Sequence, residues 1–468
     1  MQNLKNLVGG AWIDSIEKIE VRNPYSKQLV GTVPRLSVGE VKRAIDALYE
    51  YEPKLSAWER AEILSKAAQE VKARKQELKE CISSESGMSV KDSDKEVDRS
   101  FGLLTFCAEE AKRINGEQIP SDTDSAKRDR VILAMRFPVG VVSAIVPFNR
   151  PLNQVVVKVG PALAAGNRVI VKPTERTPMA GIKLCEILLH CGLPPQMLSV
   201  VTGKSSEIGN ELATNPKIDM LTFTGGTATG RHLSNIAGVK KLTLELGGND
   251  PLIVLEDANL DLAVSLATAG SFGNAGQACR GIKRILVVDK VADQFVEKFV
   301  EATKKLKCGN PFDPTTDIGT MISEEAAIEV EKVVEEALRD GAKLLCGHTR
   351  KEAEYPPTVL DHVSPTSKIV VEETFGPTAP VIRVKDVEEA VRISNSTIYG
   401  LQSGVVTNNL QHIKYVIKHL KVGAVNINEG PQFDMPNIPF GGVKQSGLGR
   451  EGVKYSIQEM TYVKTIVM

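Results

Sequence analysis

Apolar residues recur at three- and four-residue spacing among lysines and glutamates over residues 37–55, 57–85 and 89–114. That period predicts helices that each bury one stripe. A short stretch of β character precedes them. Residues 119–127 are polar, contain Pro120 and read as a connector. From Val131 the texture changes, and short β-branched runs alternate with amphipathic segments. Strands are predicted at 140–146, 168–171, 199–202 and 220–224. Helices are predicted at 179–190, closed by Cys191-Gly192, at 206–214 and at 230–236. A second alternation follows, with strands at 251–255, 285–288, 369–371, 380–384 and 424–428 and helices at 292–305, 326–340 and 387–394. Such alternation predicts parallel, doubly wound α/β architecture. Residues 461–467 form an apolar β tail suited to joining a neighbouring sheet. No internal repeat or low-complexity segment is visible.

Composition narrows the function classes. The 468 residues are 42% hydrophobic and 25% charged, which excludes wholesale disorder and leaves room for several domains. Lys plus Arg number 58 and Asp plus Glu 58, so no large basic surface for nucleic acid is expected. No apolar run approaches the ~18 residues of a membrane helix. The richest stretch, 139–163, is broken by Asn149, Arg150, Asn153 and Lys158. The first residues lack a secretory h-region, so a cytoplasmic location is expected. Seven cysteines without a C-x-x-C pair, and six scattered histidines, give no disulfide framework and no metal site.

Several glycine-rich segments compete as nucleotide sites. Gly447-Leu448-Gly449-Arg450-Glu451-Gly452 matches G-x-G-x-x-G but lacks a following βαβ unit. Gly203-Lys204-Ser205 lacks the first glycine of a P-loop. Phe223-Thr224-Gly225-Gly226 follows an apolar strand and opens a helix, where backbone N–H groups and the helix terminus favour phosphate. A plain strand–helix turn would read the same. Gly276-Gln277-Ala278-Cys279 sets a cysteine in a glycine-bounded polar loop; it is either a nucleophile or a buried inert thiol. Glu245-Leu246-Gly247-Gly248 and Pro147-Phe148-Asn149-Arg150 add a carboxylate and an amide at the ends of two other strands.

Taken in order, Asn149, Lys172-Pro173-Thr174-Glu175, Phe223-Thr224-Gly225, Glu245-Leu246-Gly247-Gly248, Gly276-Gln277-Ala278-Cys279, Glu372-Glu373-Thr374-Phe375-Gly376-Pro377 and Pro439-Phe440-Gly441-Gly442 make the chain resemble the aldehyde dehydrogenase superfamily. The resemblance spans essentially the whole chain. It is nearest to the branch of lactaldehyde, phosphonoacetaldehyde and non-phosphorylating glyceraldehyde-phosphate dehydrogenases, which Phe148 supports. It implies an aldehyde dehydrogenase-like α/β fold of two doubly wound domains plus a small β oligomerisation domain. The NAD(P)-binding domain would comprise 1–115 and 138–246, the catalytic domain 247–438, and the oligomerisation domain 116–137 and 439–468.

The implied reaction is NAD(P)-dependent oxidation of a small polar aldehyde to its acid through a cysteine thiohemiacetal and thioester. Cys279 would be the nucleophile, Asn149 the oxyanion donor and Glu245 the base for hydrolysis. Lys172 and Glu175 would face the adenosine ribose, Phe223, Thr224, Gly225 and Gly226 would border the pyrophosphate, and Glu373 and Phe375 would hold the nicotinamide side. NAD is the expected cofactor, with NADP also admitted. The expected partners are a small aldehyde and further copies of the chain, as homodimer or homotetramer, with no nucleic acid or membrane.

Position 226 is Gly where relatives often have Ser, and position 280 is Arg where Thr or Ser is frequent. Ala278 replaces an Arg of many phosphate-recognising relatives, which argues against a phosphorylated substrate. Arg150, Arg280, Asp434 and Phe440 would line the substrate tunnel. Arg150 there would meet either a substrate anion or Asp434. Two rivals remain: a CoA-acylating relative, disfavoured by Glu245, and a catalytically silent scaffold, disfavoured by the intact Cys279, Glu245 and Asn149.

Overall fold

The computed structural model describes residues 2–468. Local signals set the early helices. Ser37 and Ser56 each accept from an N–H one turn on, while Glu40 and Glu59 reach back to the cap, two complete capping boxes before Val38–Glu50 and Ala57–Ala73. Gly87, at φ 73°, closes Lys75–Ser86, and Ser89 caps the long helix Val90–Ala111.

The first large sheet has five parallel strands at its centre, in the order Lys241–Glu245, Met220–Thr224, Val141–Ile145, Arg168–Lys172 and Leu198–Val200. These runs are almost wholly buried, as expected where helices cover both faces. Chain direction across the sheet reverses between Val141–Ile145 and Met220–Thr224, and a crevice opens there at the carboxyl ends. Antiparallel edges are added by Asn6–Val8 and Ala11–Ile13 on one side and by Gly447–Leu448 on the other.

The second sheet runs Lys343–Cys346, Thr358–Asp361, Thr378–Val384, Ile282–Val288, Asp250–Val254, Gln402–Val406 and Ala424–Ile427. It is parallel except at Lys343–Cys346. Gln402–Val406 escaped the sequence reading because Gln402, Ser403 and Gly404 dilute its apolar run. The strand expected at 369–371 is instead the short helix Lys368–Val371. Thr358–Asp361 and Thr378–Val384 already pair with each other, so no ladder is open to it. A three-residue apolar run does not distinguish the two states.

A third, small sheet joins Glu117–Ile119, Ile132–Pro138 and Thr461–Val467, the last two in register from Thr461 opposite Pro138 to Val467 opposite Ile132. It leaves Ile119, Met135, Tyr462, Val463 and Val467 exposed. Among the described residues no helix is long and apolar enough to cross a membrane.

Candidate active site

The loop before Cys279 is bent by three consecutive left-handed residues, Asn274, Ala275 and Gly276, at φ 52°, 53° and 69°. Only Gly276 is free of the penalty that a Cβ brings there. Hydrogen bonds hold the bend. Asn274 Nδ2 donates to the Asn149 carbonyl at 2.9 Å, the Asn274 N–H donates to Asp92, and Gln277 Oε1 accepts from Ile322 N–H at 2.8 Å. Asn149 Nδ2 donates to the Gln277 carbonyl at 3.0 Å. That bond uses one amide hydrogen and leaves the other for the cavity that Asn149 and Cys279 both line.

Glu245 ends its strand beside the thiol and is 1% exposed. Neither carboxylate oxygen has a hydrogen-bond partner among protein groups apart from that thiol. Burial and the nearby Glu451 push its carboxyl up to about 8. Burial and the Glu245 charge likewise hold the Cys279 thiol well above its ordinary value, with Arg280 acting in the opposite direction. The resting site therefore keeps a thiol and a largely protonated acid side by side.

Sequence reasoning missed the charge network behind Glu245. Lys158, fully buried, donates to Glu451 at 2.6 Å and to Thr222 Oγ1 at 3.1 Å. A signal existed: Lys158 is the one charge in Asn153–Ala164, whose other residues are apolar, glycine, proline or amide. Such a charge is costly to bury and needs a partner.

The cavity over Cys279 measures about 780 Å³, and Arg150, Arg280, Asp434 and Phe440 all line it. The pairing of Arg150 with Asp434 does not form. Asp434 is taken by Arg280, at 3.2 Å, and by Arg99, which the sequence reading did not single out. Arg99 sits among the many charges of Val90–Ala111, and nothing in the pattern separates it from a surface arginine. Burial would raise the Asp434 carboxyl, but these two guanidinium groups hold it below its ordinary value. Burial and Arg280 push Arg99 down to about 9, against the pull of Asp434. Arg150 lies 3.9 Å from Glu96 and 3.7 Å from the Met88 sulfur. Glu96 Oε1 meanwhile accepts the N–H groups of Leu152 and Asn153. Arg280 also stands 5.6 Å from the Phe440 ring centroid.

A second cavity, of about 530 Å³, occupies the crevice of the first sheet. Lys172, Phe223, Thr224, Gly225 and Gly226 line it, and Glu175 stands at its side. The helix Thr227–Ile236 points its first turn here with no side-chain cap, Gly226 faces open space, and Thr224 Oγ1 is buried without a partner. Uncapped N–H groups beside an open glycine suit a pyrophosphate. Lys172 Nζ donates to Ser205 Oγ at 2.9 Å and to Glu175 at 3.4 Å, and Ser205 Oγ donates to Glu175 at 2.8 Å. Between the two cavities, Glu373 accepts from Gly248 N–H at 3.2 Å, and the Phe375 ring stands edge-on to Phe148 at 5.9 Å. Burial raises the Glu373 carboxyl to about 7.

The G-x-G-x-x-G stretch has another task. Gly447, Gly449 and Gly452 take φ values of 158°, 75° and 95°, and a Cβ on Gly447 would lie 2.4 Å from the Leu244 carbonyl oxygen. These glycines pack a returning segment against the strand of Glu245.

Residues 12–466 match the aldehyde dehydrogenase family. The lactaldehyde dehydrogenase of Methanococcus aeolicus is 41% identical, over 98% of this chain and 99% of that protein. The 3-sulfolactaldehyde dehydrogenase of Priestia aryabhattai is also 41% identical, over 98% and 97%. The crystal structure of the glyceraldehyde-3-phosphate dehydrogenase GapN of Methanocaldococcus jannaschii, complexed with NADP, superposes with a TM-score of 0.93 at 41% identity, covering 97% of this chain and 99% of that one.

Proposed function

The chain belongs to the aldehyde dehydrogenase family and is an NAD(P)-dependent dehydrogenase of small aldehydes; from that premise we propose that its substrate carries an anionic group remote from the carbonyl. The carrying observation is the pairing of the three guanidinium groups that line the cavity. Three guanidinium groups, Arg99, Arg150 and Arg280, face two carboxylates, Asp434 and Glu96. Asp434 is shared by Arg99 and Arg280, and Arg150 stands 3.9 Å from Glu96, so Arg150 is a loosely paired cation in a partly dry cavity and a substrate anion would offset its cost. The relatives named above act on lactaldehyde, sulfolactaldehyde and glyceraldehyde 3-phosphate. Ala278 in the wall favours a carboxylate or sulfonate over a phosphate.

In this reading Cys279 attacks the carbonyl carbon, and the Asn149 amide with the Cys279 N–H receives the oxyanion. Glu245 accepts the thiol proton, releases it to solvent, and as a carboxylate again accepts a proton from the water that cleaves the thioester. Lys172, Glu175 and the 223–226 turn would hold the adenosine and pyrophosphate, and Glu373 and Phe375 the nicotinamide ribose and ring. The bound nicotinamide supplies the hydride acceptor. The two large sheets and the small sheet of Glu117–Ile119, Ile132–Pro138 and Thr461–Val467 support the domain division, except that Gly447–Leu448 of the oligomerisation segment edges the first large sheet. The exposed apolar side chains of the small sheet support a homodimer or homotetramer. The seven cysteines are unpaired, which supports a cytoplasmic location.

Substitution of Arg150 by Leu tests the substrate reading. KM for succinate semialdehyde or sulfolactaldehyde is expected to rise roughly tenfold to a hundredfold, the worth of one charged hydrogen bond. Propanal should react as before. Equal loss on propanal would mean that Arg150 supports the fold through Glu96, and the anionic reading would fall.

Glu175 carries the cofactor prediction. Its carboxylate would meet a 2′-phosphate as a like charge, so kcat/KM should favour NAD over NADP. Glu175→Ser should narrow that preference by roughly tenfold. An unchanged ratio in the variant would remove Glu175 from cofactor choice.

A further inference from the structure

Lys283 follows the nucleophile by four residues on Ile282–Val288 and is 3% exposed. Its Nζ donates to the Gly276 carbonyl and stands 5.2 Å from the centroid of the Phe375 ring. The groups of opposite sign facing it are Glu373, the Cys279 sulfur and Asp250. Burial outweighs them and lowers the ammonium to about 8.

These contacts belong to two loops. Residues 274–279 carry the nucleophile, and residues 372–377 carry Glu373 and Phe375. The loops meet where a Cβ on Gly276 would lie 2.0 Å from the Gly376 carbonyl oxygen. Lys283 lies at that contact and touches both sides.

We propose that Lys283 is a positioning residue: it locks the nucleophile loop against the loop that grips the nicotinamide, and its charge favours the Cys279 thiolate. The locking role rests on the assignment of Glu373 and Phe375 to the nicotinamide side, and the electrostatic role does not. The physical basis is reciprocal. A thiolate that favours the ammonium is itself favoured by it. On the thiol side Glu245 and Glu373 oppose ionisation and Arg280 favours it. Lys283 would be the second cation.

Three variants separate charge from hydrogen bonding. Lys283→Met removes both, Lys283→Gln keeps a donor, and Lys283→Arg keeps the charge. The readouts are carbamidomethylation of Cys279 by iodoacetamide against pH, without cofactor and counted by peptide mass, and KM for NAD. Met and Gln should move the alkylation midpoint upward and slow the reaction at pH 7 roughly tenfold, and Arg should restore it. KM for NAD should rise roughly tenfold in Met and less in Gln.

Alkylation profiles in Met and Gln that match the parent would overturn the electrostatic role, as would failure of Arg to restore it. An unchanged KM for NAD in Met would overturn the locking role. If Met does not fold, Gln and Arg carry the comparison. Phe375→Leu separates the two readings. An unchanged KM for NAD there means the nicotinamide assignment has failed, while the alkylation comparison still judges Lys283.

Discussion

Replacement of Cys279 by alanine is expected to lower NADH formation by at least roughly a thousandfold. Covalent catalysis has no substitute nucleophile in this cavity. Cys81, Cys107 and Cys185 are buried in the core, and none of the other six cysteines lines the cavity over Asn149. Burial raises Cys107 and Cys185 further from ionisation. The substitution removes one sulfur from a wall that is already part open, so folding and cofactor binding should survive. Quenching of protein fluorescence by NADH provides that control. Turnover at the parental rate by a variant that still binds NADH would remove Cys279 from the chemistry.

Glu245→Gln should separate the two half-reactions. One equivalent of NADH per site is expected in a burst, slowed by loss of the thiol's proton acceptor, followed by steady turnover lower by roughly a hundredfold to ten-thousandfold. The neutral isostere should fold well, because the parent carboxyl, at about 8, is already mostly protonated at neutral pH. The same fact fixes the pH dependence. Only the carboxylate can accept a proton, so parental turnover should climb as pH rises through about 8 and level above it. The variant should lose that limb. Rapid-mixing absorbance at several pH values reads both effects. A variant with parental steady-state turnover, or a parent whose rate falls across that range, would assign the base to another group.

The α/β alternation was legible because buried parallel strands carry nearly continuous apolar runs, as at 169–171 and 285–288. It failed at 369–371, where three apolar residues had no open ladder to join, and at Gln402–Val406, where small and polar residues hide a strand. The chemical residues were readable when they stood in glycine-bounded loops at strand ends, as Cys279, Glu245 and Asn149 do. Charges on helices and strands were harder. Arg99 looks like any solvated arginine until the fold turns it toward Asp434. Lys158 is a lone charge in a buried helix and Lys283 one of two adjacent charges in a buried strand, and that mismatch was visible, yet their partners come from other segments. The choice of Asp434 as a partner for Arg150 failed for the same reason: distance along the chain says nothing about which of three guanidinium groups arrives first.

Ser446 ties two distant segments to its own. Its Oγ donates to the Gly247 carbonyl at 2.7 Å and accepts from Gly400 N–H at 2.9 Å, while its carbonyl accepts from Leu246 N–H at 3.0 Å. Next to it, Gly447 pairs with Glu245 across some 200 residues of intervening sequence. The strand of the proposed base is thus an unfinished edge until this far segment returns. Closing so long a loop is slow, and ladders built on such contacts form late. In refolding kinetics, helical signal should recover well before catalytic competence. Until then the intermediate presents a bare template for intermolecular pairing, which makes refolding yield fall as protein concentration rises.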